Sequence, residues 1–521
     1  MSASKTVGRA VALAVAFLAT GAAARAATVE AVLEADVAVL DPHYTTAYPT
    51  RTFGYMVFDT LFGTDGAGQP KPQMVASWTV SEDRLRWTFT LRDGLLWHDG
   101  RTVTAADCVA SLRRWASRNA MGGRLMAVTA SLETLDAKSF VLVLREPYGL
   151  VLETLATTSA PGPFMLPERL ASRPGNERLS EVVGSGPFVF EPAGYVPGNR
   201  MKLLRNQAYS PRKEAADFLA GGKHVHLDAV EIKVIPDGAT AVAALQSGEV
   251  DYLQYPPFDL IPVLEKNRDI RVQKYSGMHM FSSQYRINLL AKPFDDPAIR
   301  RVLQHLVDQR EVLTGLGLEP DYIQTCYAFF TCGSPYESRA GTEGFGEVSV
   351  EAAAKALRAT AYRNEPVTVV YAADLDGARI STEILADRMR RAGFNVDLRP
   401  MDLASQIALR SRHDGWTLYG AQASNMDLAS PLTNSMIAGN CMDSGGSGYA
   451  CFPTLTSLLD RFGKSASADE RRTITADIQK VVYDQGMIVP WGQFSQPSAM
   501  RTRLRDVVPS SIPIFWEMRK D

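Results

Sequence analysis

The chain has 521 residues, with 55 lysines and arginines against 57 aspartates and glutamates, a formal net charge of −2. Apolar residues make up 46% and charged residues 21%, the balance of an ordinary folded protein that is too long for one core, so two or three lobes are expected. The near-neutral balance, without any basic run, argues against nucleic acid as a partner.

Residues 1–26 read as an export signal. Lys5 and Arg9 form a positive start, Ala10 to Thr20 a short apolar core, and Ala24-Arg25-Ala26 a small-residue cleavage site. The apolar stretch is shorter than the roughly 20 residues needed to span a bilayer, and no comparable run follows. No cysteine lies near the cleavage site, which argues against lipid attachment there. The expected product is soluble, periplasmic and begins at Ala27. Without Lys5, Arg9 and Arg25 it carries 52 basic against 57 acidic residues, a net charge of −5.

Thr28 to Val37 then reads as a strand. Between Ala76 and Gly100, Leu85, Trp87, Phe89 and Leu91 alternate with polar residues, the period-two pattern of a half-buried strand. Asp93-Gly94 and Asp99-Gly100 are turn dipeptides. Thr104 and Asp107 stand in capping-box spacing before Cys108, Leu112 and Trp115 on one helix face. Phe140 to Leu144 is another short strand. Asp237 to Gly248 reads as a helix with a glycine stop, and Asp296 caps a helix with Pro297 at its first position. Val367 to Tyr371 is a strand and Ile380 to Ala392 a helix stopped by Gly393, an α/β alternation. Ser467 and Glu470 form a second capping box, with Ile474, Ile478 and Val481 inward.

Read as strings, several of these segments closely resemble the dipeptide- and oligopeptide-binding proteins that serve ABC importers, the extracellular solute-binding proteins of family 5. The resemblance is carried by Ala76 to Gly100, by Tyr55 to Phe62 (similar to a helix ending in "DTLF"), by Gly184-Ser185-Gly186-Pro187-Phe188 and by Arg205 to Tyr209. It continues through Ala244 to Asp251, Lys292 to Asp296 and Val489-Pro490-Trp491. These motifs stand in the family's order along the whole mature chain. They imply an α/β, two-lobed periplasmic-binding-protein fold of class II, large peptide-binding type, with an extra subdomain in the first lobe and a ligand cleft at the interlobe hinge. The expected boundaries are a signal at 1–26, a first lobe at 27–277 with an inserted subdomain at about 60–184, a second lobe at 278–483, and a return to the first lobe over 484–521.

The implied function is a periplasmic receptor that captures a peptide or peptide-like small molecule and delivers it to the membrane permease of an ABC importer. It would act as a monomer, with no cofactor and no nucleic acid. Two alternatives stay open. One keeps the receptor but changes the cargo to an opine-like conjugate, a modified sugar or a metal chelate. The other is a secreted hydrolase, against which stands the lack of G-x-S-x-G, H-E-x-x-H, Walker A and strand-borne G-x-G-x-x-G motifs.

Among candidate ligand-binding residues, Asp427 matches the region in which the dipeptide-binding branch places the carboxylate that holds the ligand amine. The tryptophan and Asp-Pro pair of that pattern are missing here. Arg286 could hold a carboxylate bidentately or serve a salt bridge. Tyr44, Tyr48 and Arg51 follow the first strand, and Trp491 and Gln493 lie on the returning strand, both places where relatives approach the ligand. Ser185 between glycines is explained by backbone flexibility at a crossing rather than by nucleophilic chemistry. His224 and His226 could share a strand face, but Lys223 beside Gly221-Gly222 suggests an exposed loop, and no metal is expected. Of five cysteines, sequence proximity favours Cys326–Cys332 and Cys441–Cys451 among three possible pairings, leaving Cys108 as a core thiol.

Overall fold

The period-two run forms the strand Arg86–Leu91, which buries Trp87, Phe89 and Leu91. It is central in a four-stranded antiparallel sheet ordered Val75–Val80, Arg86–Leu91, Ser139–Leu144, Thr129–Thr134. The capping box closes as the spacing predicts. Asp107 N donates to Thr104 Oγ1 (3.3 Å) and Thr104 N to Asp107 Oδ2 (2.8 Å), starting the helix Ala105–Ala116 that seals Cys108, Leu112 and Trp115 against the sheet. A computed structural model describes residues 27–521 apart from 374, 411, 413, 439, 442–447 and 449, with the backbone alone at 376 and 404. The export-signal expectation for 1–26 lies outside the described residues.

Two further sheets carry the two lobes. The first has seven strands, ordered Ile270–Gln273, Ser498–Arg501, Tyr252–Leu253, Thr28–Val32, Ala229–Lys233, Arg200–Arg205 and Phe188–Phe190. The second has six, ordered Ile323–Gln324, Ile488–Phe494, Phe281–Ile287, Leu418–Ser424, Pro366–Ala372 and Asn395–Met401. Its Pro366–Ala372 strand pairs parallel with both neighbours, as expected where the helix Asp376–Ala392 makes the crossover. Gly393 at φ 102° ends that helix, a left-handed position a side chain would strain.

The chain passes between lobes twice. Because Ile488–Phe494 pairs with Phe281–Ile287 in the second sheet, the return falls between Phe494 and Ser498 and not at 484. The crossings are tied together: Tyr275 N donates to Ser495 Oγ (2.8 Å), and Ser498 Oγ bonds the hydroxyls of Tyr252 (2.8 Å) and Tyr275 (2.9 Å).

Three local expectations change. The helix near residue 55 spans Tyr48–Val57, and Phe58 is already extended, which turns Asp59 inward. Gly184 and Gly186 are not flexible joints. A Cβ at Gly184 would stand 1.8 Å from the Val57 carbonyl oxygen, so they permit close packing on the end of that helix. Lys223 is not on an exposed loop. Its ammonium is fully buried 2.8 Å from Asp59 Oδ1, a partner 164 residues away that local sequence does not reveal.

Both expected cystine bridges are formed, Cys326–Cys332 and Cys441–Cys451, and Cys108 is buried, which pushes its thiol pKa up. Thiol titration of the non-reduced protein is expected to find none reactive while folded and one after unfolding. Three or more after unfolding would contradict at least one bridge. Among the described residues no helix is long and apolar enough to cross a membrane.

Candidate functional site

The helix Tyr48–Val57 packs its Phe53, Met56 and Val57 into the first-lobe core with Val29 and Ala31. Tyr48 and Arg51, three residues apart, share one face of it. Across the cleft, the strand Leu418–Ser424 runs into the short helix Asn425–Leu428. Asn425 pins this turn to the crossing segment. Its Nδ2 donates to the Gly277 carbonyl (2.7 Å), its N to the Met280 carbonyl (2.9 Å), and its Oδ1 accepts from Ser282 Oγ (2.6 Å). Asp427 is thereby presented to the first lobe.

There the two lobes meet. Tyr48 OH donates to Asp427 Oδ2 (2.7 Å), and Arg51 Nη1 lies 3.2 and 3.3 Å from the two carboxylate oxygens. Arg51 Nη1 also donates to the Thr158 carbonyl (3.2 Å), and its guanidinium stands 4.2 Å over the Tyr48 ring. The Arg51 and Asp427 side chains are 4% and 14% exposed, so this is a largely desolvated pair. Burial, the largest single influence, would lower the Arg51 pKa, but Asp427 together with Tyr48, Tyr55 and Tyr255 outweighs it and the net direction is up. Burial, and then Asp427, push the Tyr48 phenol well above its ordinary value. Charge-assisted bonds of this kind are worth about 1.5–3 kcal/mol each, and this set forms only when the lobes are together.

A second contact between lobes lies beside the four-stranded sheet. Gly149 N donates to the Gly463 carbonyl (2.9 Å), and a Cβ at Gly149 would stand 1.9 Å from the Ser465 carbonyl oxygen. Arg124 adds a 3.0 Å bond to the Ala438 carbonyl and a 3.3 Å ion pair with Asp460.

Of the expected ligand-binding residues, the fold thus gathers Tyr48, Arg51 and Asp427. Tyr44 stands apart on a first-lobe loop, between the guanidinium groups of Arg118 (5.9 Å) and Arg178 (4.9 Å). Arg286 is buried on the second sheet opposite Tyr419, its guanidinium 6.0 Å from that ring. Trp491 is fully buried between Tyr285 and Phe494. Gln493 is buried, its Oε1 accepting from Cys332 N (3.0 Å) at the first disulfide. His226 lies 3.2 Å from Arg519 and 3.9 Å from Glu517, and among the described residues no three ligating side chains are grouped to hold a metal ion.

Sequence reasoning passed over Tyr255, whose ring stands 5.9 Å from that of Phe281 on the second sheet, and Ser424, beside this junction. Tyr255 OH donates to the Ser511 carbonyl (3.2 Å), and Ser424 N to Tyr48 OH (3.3 Å). A serine at the end of a strand carries no local mark of such a position. Two grooves, of about 790 and 600 Å³, lie elsewhere, one against the helix Ala105–Ala116 and one beside Cys441–Cys451.

The family model of the bacterial extracellular solute-binding proteins, family 5 (middle region), matches residues 69–439. A probable peptide ABC transporter periplasmic-binding protein of Sinorhizobium fredii, y4tO, is 35% identical over 503 residues, covering 95% of this chain and 93% of the relative. Among solved structures, the periplasmic binding protein DppA of Helicobacter pylori, in complex with the peptide STSA, superposes with a TM-score of 0.80 at 19% identity. It covers 95% of this chain and 98% of that one. AgaA of Agrobacterium tumefaciens R10, in complex with agropinic acid, gives 0.78 at 20% identity, over 95% and 99%.

Proposed function

We propose a function on one premise: this chain belongs to the bacterial extracellular solute-binding proteins of family 5. It is a receptor that encloses a peptide or peptide-like solute between its lobes and presents it to the permease of an ABC importer. The observation that carries this reading is the Tyr48–Arg51–Asp427 junction, which joins the lobes through charge-assisted bonds beside the crossing segments. A solute that touches both lobes adds free energy to the closed state alone, so it shifts the population toward closure. No bond is made or broken in the cargo, and the energy for transport comes from the importer's ATPases.

The protein works as a monomer in the periplasm after removal of residues 1–26. N-terminal sequencing of the exported protein is expected to begin at Ala27, and retention of Met1 or a membrane-bound product would contradict this.

Cargo class is tested by thermal shift and calorimetric titration against peptides, agropinic acid and metal chelates. A peptide at about 100 times its Kd is expected to add about 2.7 kcal/mol of stability. Stabilisation by agropinic acid alone would move the assignment to opine-like solutes, the second reading, which the superposition on AgaA supports. Turnover of a peptide or ester would contradict both.

A further inference from the structure

The two disulfides sit in unlike surroundings. Cys326 is 4% exposed, its N donating to Gln309 Oε1 (2.6 Å) and its sulfur accepting from Cys332 N (3.0 Å). Cys332 N also donates to Gln493 Oε1 (3.0 Å) on the buried strand Ile488–Phe494, so this bridge is held against the second sheet. Cys441 and Cys451 are both exposed, and both lie on the wall of the groove of about 600 Å³. A groove of that size admits a small molecule. Of the charged groups on its walls, Asp460 pairs with Arg124 (3.3 Å) and Lys464 with Glu146 (2.8 Å). Arg461 has no ion pair among the described residues, and a cation there favours the approach of a thiolate.

The exposed bridge also lies where the lobes touch. Arg124, on the first-lobe helix Ala120–Ala127, donates to the Ala438 carbonyl (3.0 Å) and pairs with Asp460. Ala438 comes just before Cys441, and Asp460 belongs to the helix Pro453–Lys464 that follows Cys451. The first lobe thus grips one segment on each side of the bridge that cross-links them. Asn440 joins the same two segments, its Nδ2 donating to the Phe452 carbonyl (2.9 Å) and to Thr456 Oγ1 (2.8 Å). With the bridge open, that one side chain is left to hold both segments in place for Arg124.

We propose that Cys441–Cys451 is a thiol-exchange site, opened by a low-molecular-weight thiol seated in the groove, and that its opening loosens lobe closure through Arg124. Exposed disulfides are the labile ones, whereas a bridge packed into a core resists attack. A thiolate attacks one cysteine sulfur, and the Cys441–Cys451 bond breaks as a mixed disulfide forms. A second thiolate displaces the cysteine from it. The protein takes up two electrons and two protons and ends with two thiols, while the small thiol leaves as its own disulfide. The inference rests on the receptor reading only in that closure is the step it governs.

The site is tested by treating wild type with a series of 2-mercaptoethanol concentrations, alkylating, and reading each cysteine by mass spectrometry. Cys441 and Cys451 are expected to be alkylated at about tenfold less thiol than Cys326 and Cys332. Opening of both bridges together, or of Cys326–Cys332 first, overturns the site.

The coupling is read without solute, as single-molecule energy transfer between thioether-linked labels on Val196→Cys and Ile407→Cys, two exposed positions on opposite lobes. Selective reduction is expected to cut the closed fraction by about half, and the untreated Cys441→Ser/Cys451→Ser variant to match the reduced protein and ignore the thiol. In Arg124→Gln the closed fraction is expected to be low already and unchanged by reduction. Equal closed fractions in oxidised and reduced protein, including none in either, overturn the coupling. So does a reduction effect that persists in full in Arg124→Gln. Because no solute enters the measurement, either failure leaves the receptor reading intact.

Discussion

Lys223→Met is expected to destabilise the first lobe by about 3–5 kcal/mol, read as a lower midpoint in denaturant unfolding. The Lys223 ammonium and the Asp59 carboxylate are both fully buried, 2.8 Å apart. Asp59 also accepts from Tyr209 OH (2.9 Å), and the ammonium stands 5.1 Å over the Trp516 ring. The pair therefore ties the end of the helix Tyr48–Val57 to the C-terminal segment. Without the lysine, Asp59 remains a buried charge that the Tyr209 hydroxyl and the Thr60 amide do not neutralise. Adding Asp59→Asn is expected to recover part of the loss, because a neutral amide still accepts from Tyr209 and no charge remains. A loss under about 1 kcal/mol in the single variant would show that water reaches the pair.

The second large effect belongs to binding. Asp427→Ala is expected to weaken solute affinity at least tenfold, about 1.4 kcal/mol, while the unliganded melting temperature changes little. In the closed form it would leave Arg51 almost fully buried without its counter-charge. Opening the lobes hydrates that guanidinium, so the cost falls on closure and not on folding. Tyr48→Phe removes one 2.7 Å bond and is expected to act in the same direction with a smaller effect. Unchanged affinity in Asp427→Ala, measured by calorimetric titration, would remove the junction from the closing mechanism. A large fall in melting temperature would make it structural.

Much of the framework was legible because it rests on local rules. The capping box at Thr104, the glycine stops at Gly248 and Gly393 and the alternation through Leu91 each act within a few residues, and each forms. At Ser467 only the N-cap bond from Glu470 N is made, and the Glu470 carboxylate turns to Ser465 Oγ instead. Family-ordered motifs extended this to a two-lobed architecture. What local sequence could not supply were pairings across the chain. Lys223 next to two glycines has the look of a loop until Asp59 arrives from 164 residues away. Arg51 and Asp427 were each recognisable as cleft candidates, but not as partners of each other, because their separation of 376 residues is closed only by lobe contact. Gly184 and Gly186 misled in the opposite way, since glycine marks close packing as readily as it marks flexibility.

Capture by closure is tested most directly by the distance between lobes. Val196 on the first lobe and Ile407 on the second are exposed, and Cys108 is buried, so a pair of introduced cysteines there takes labels selectively. Single-molecule energy transfer between them is expected to show open and closed populations without solute, and the closed one alone at saturation. In Asp427→Ala the same solute should leave a persistent open fraction. A distance distribution that stays the same when calorimetry shows a solute to be bound would contradict the account.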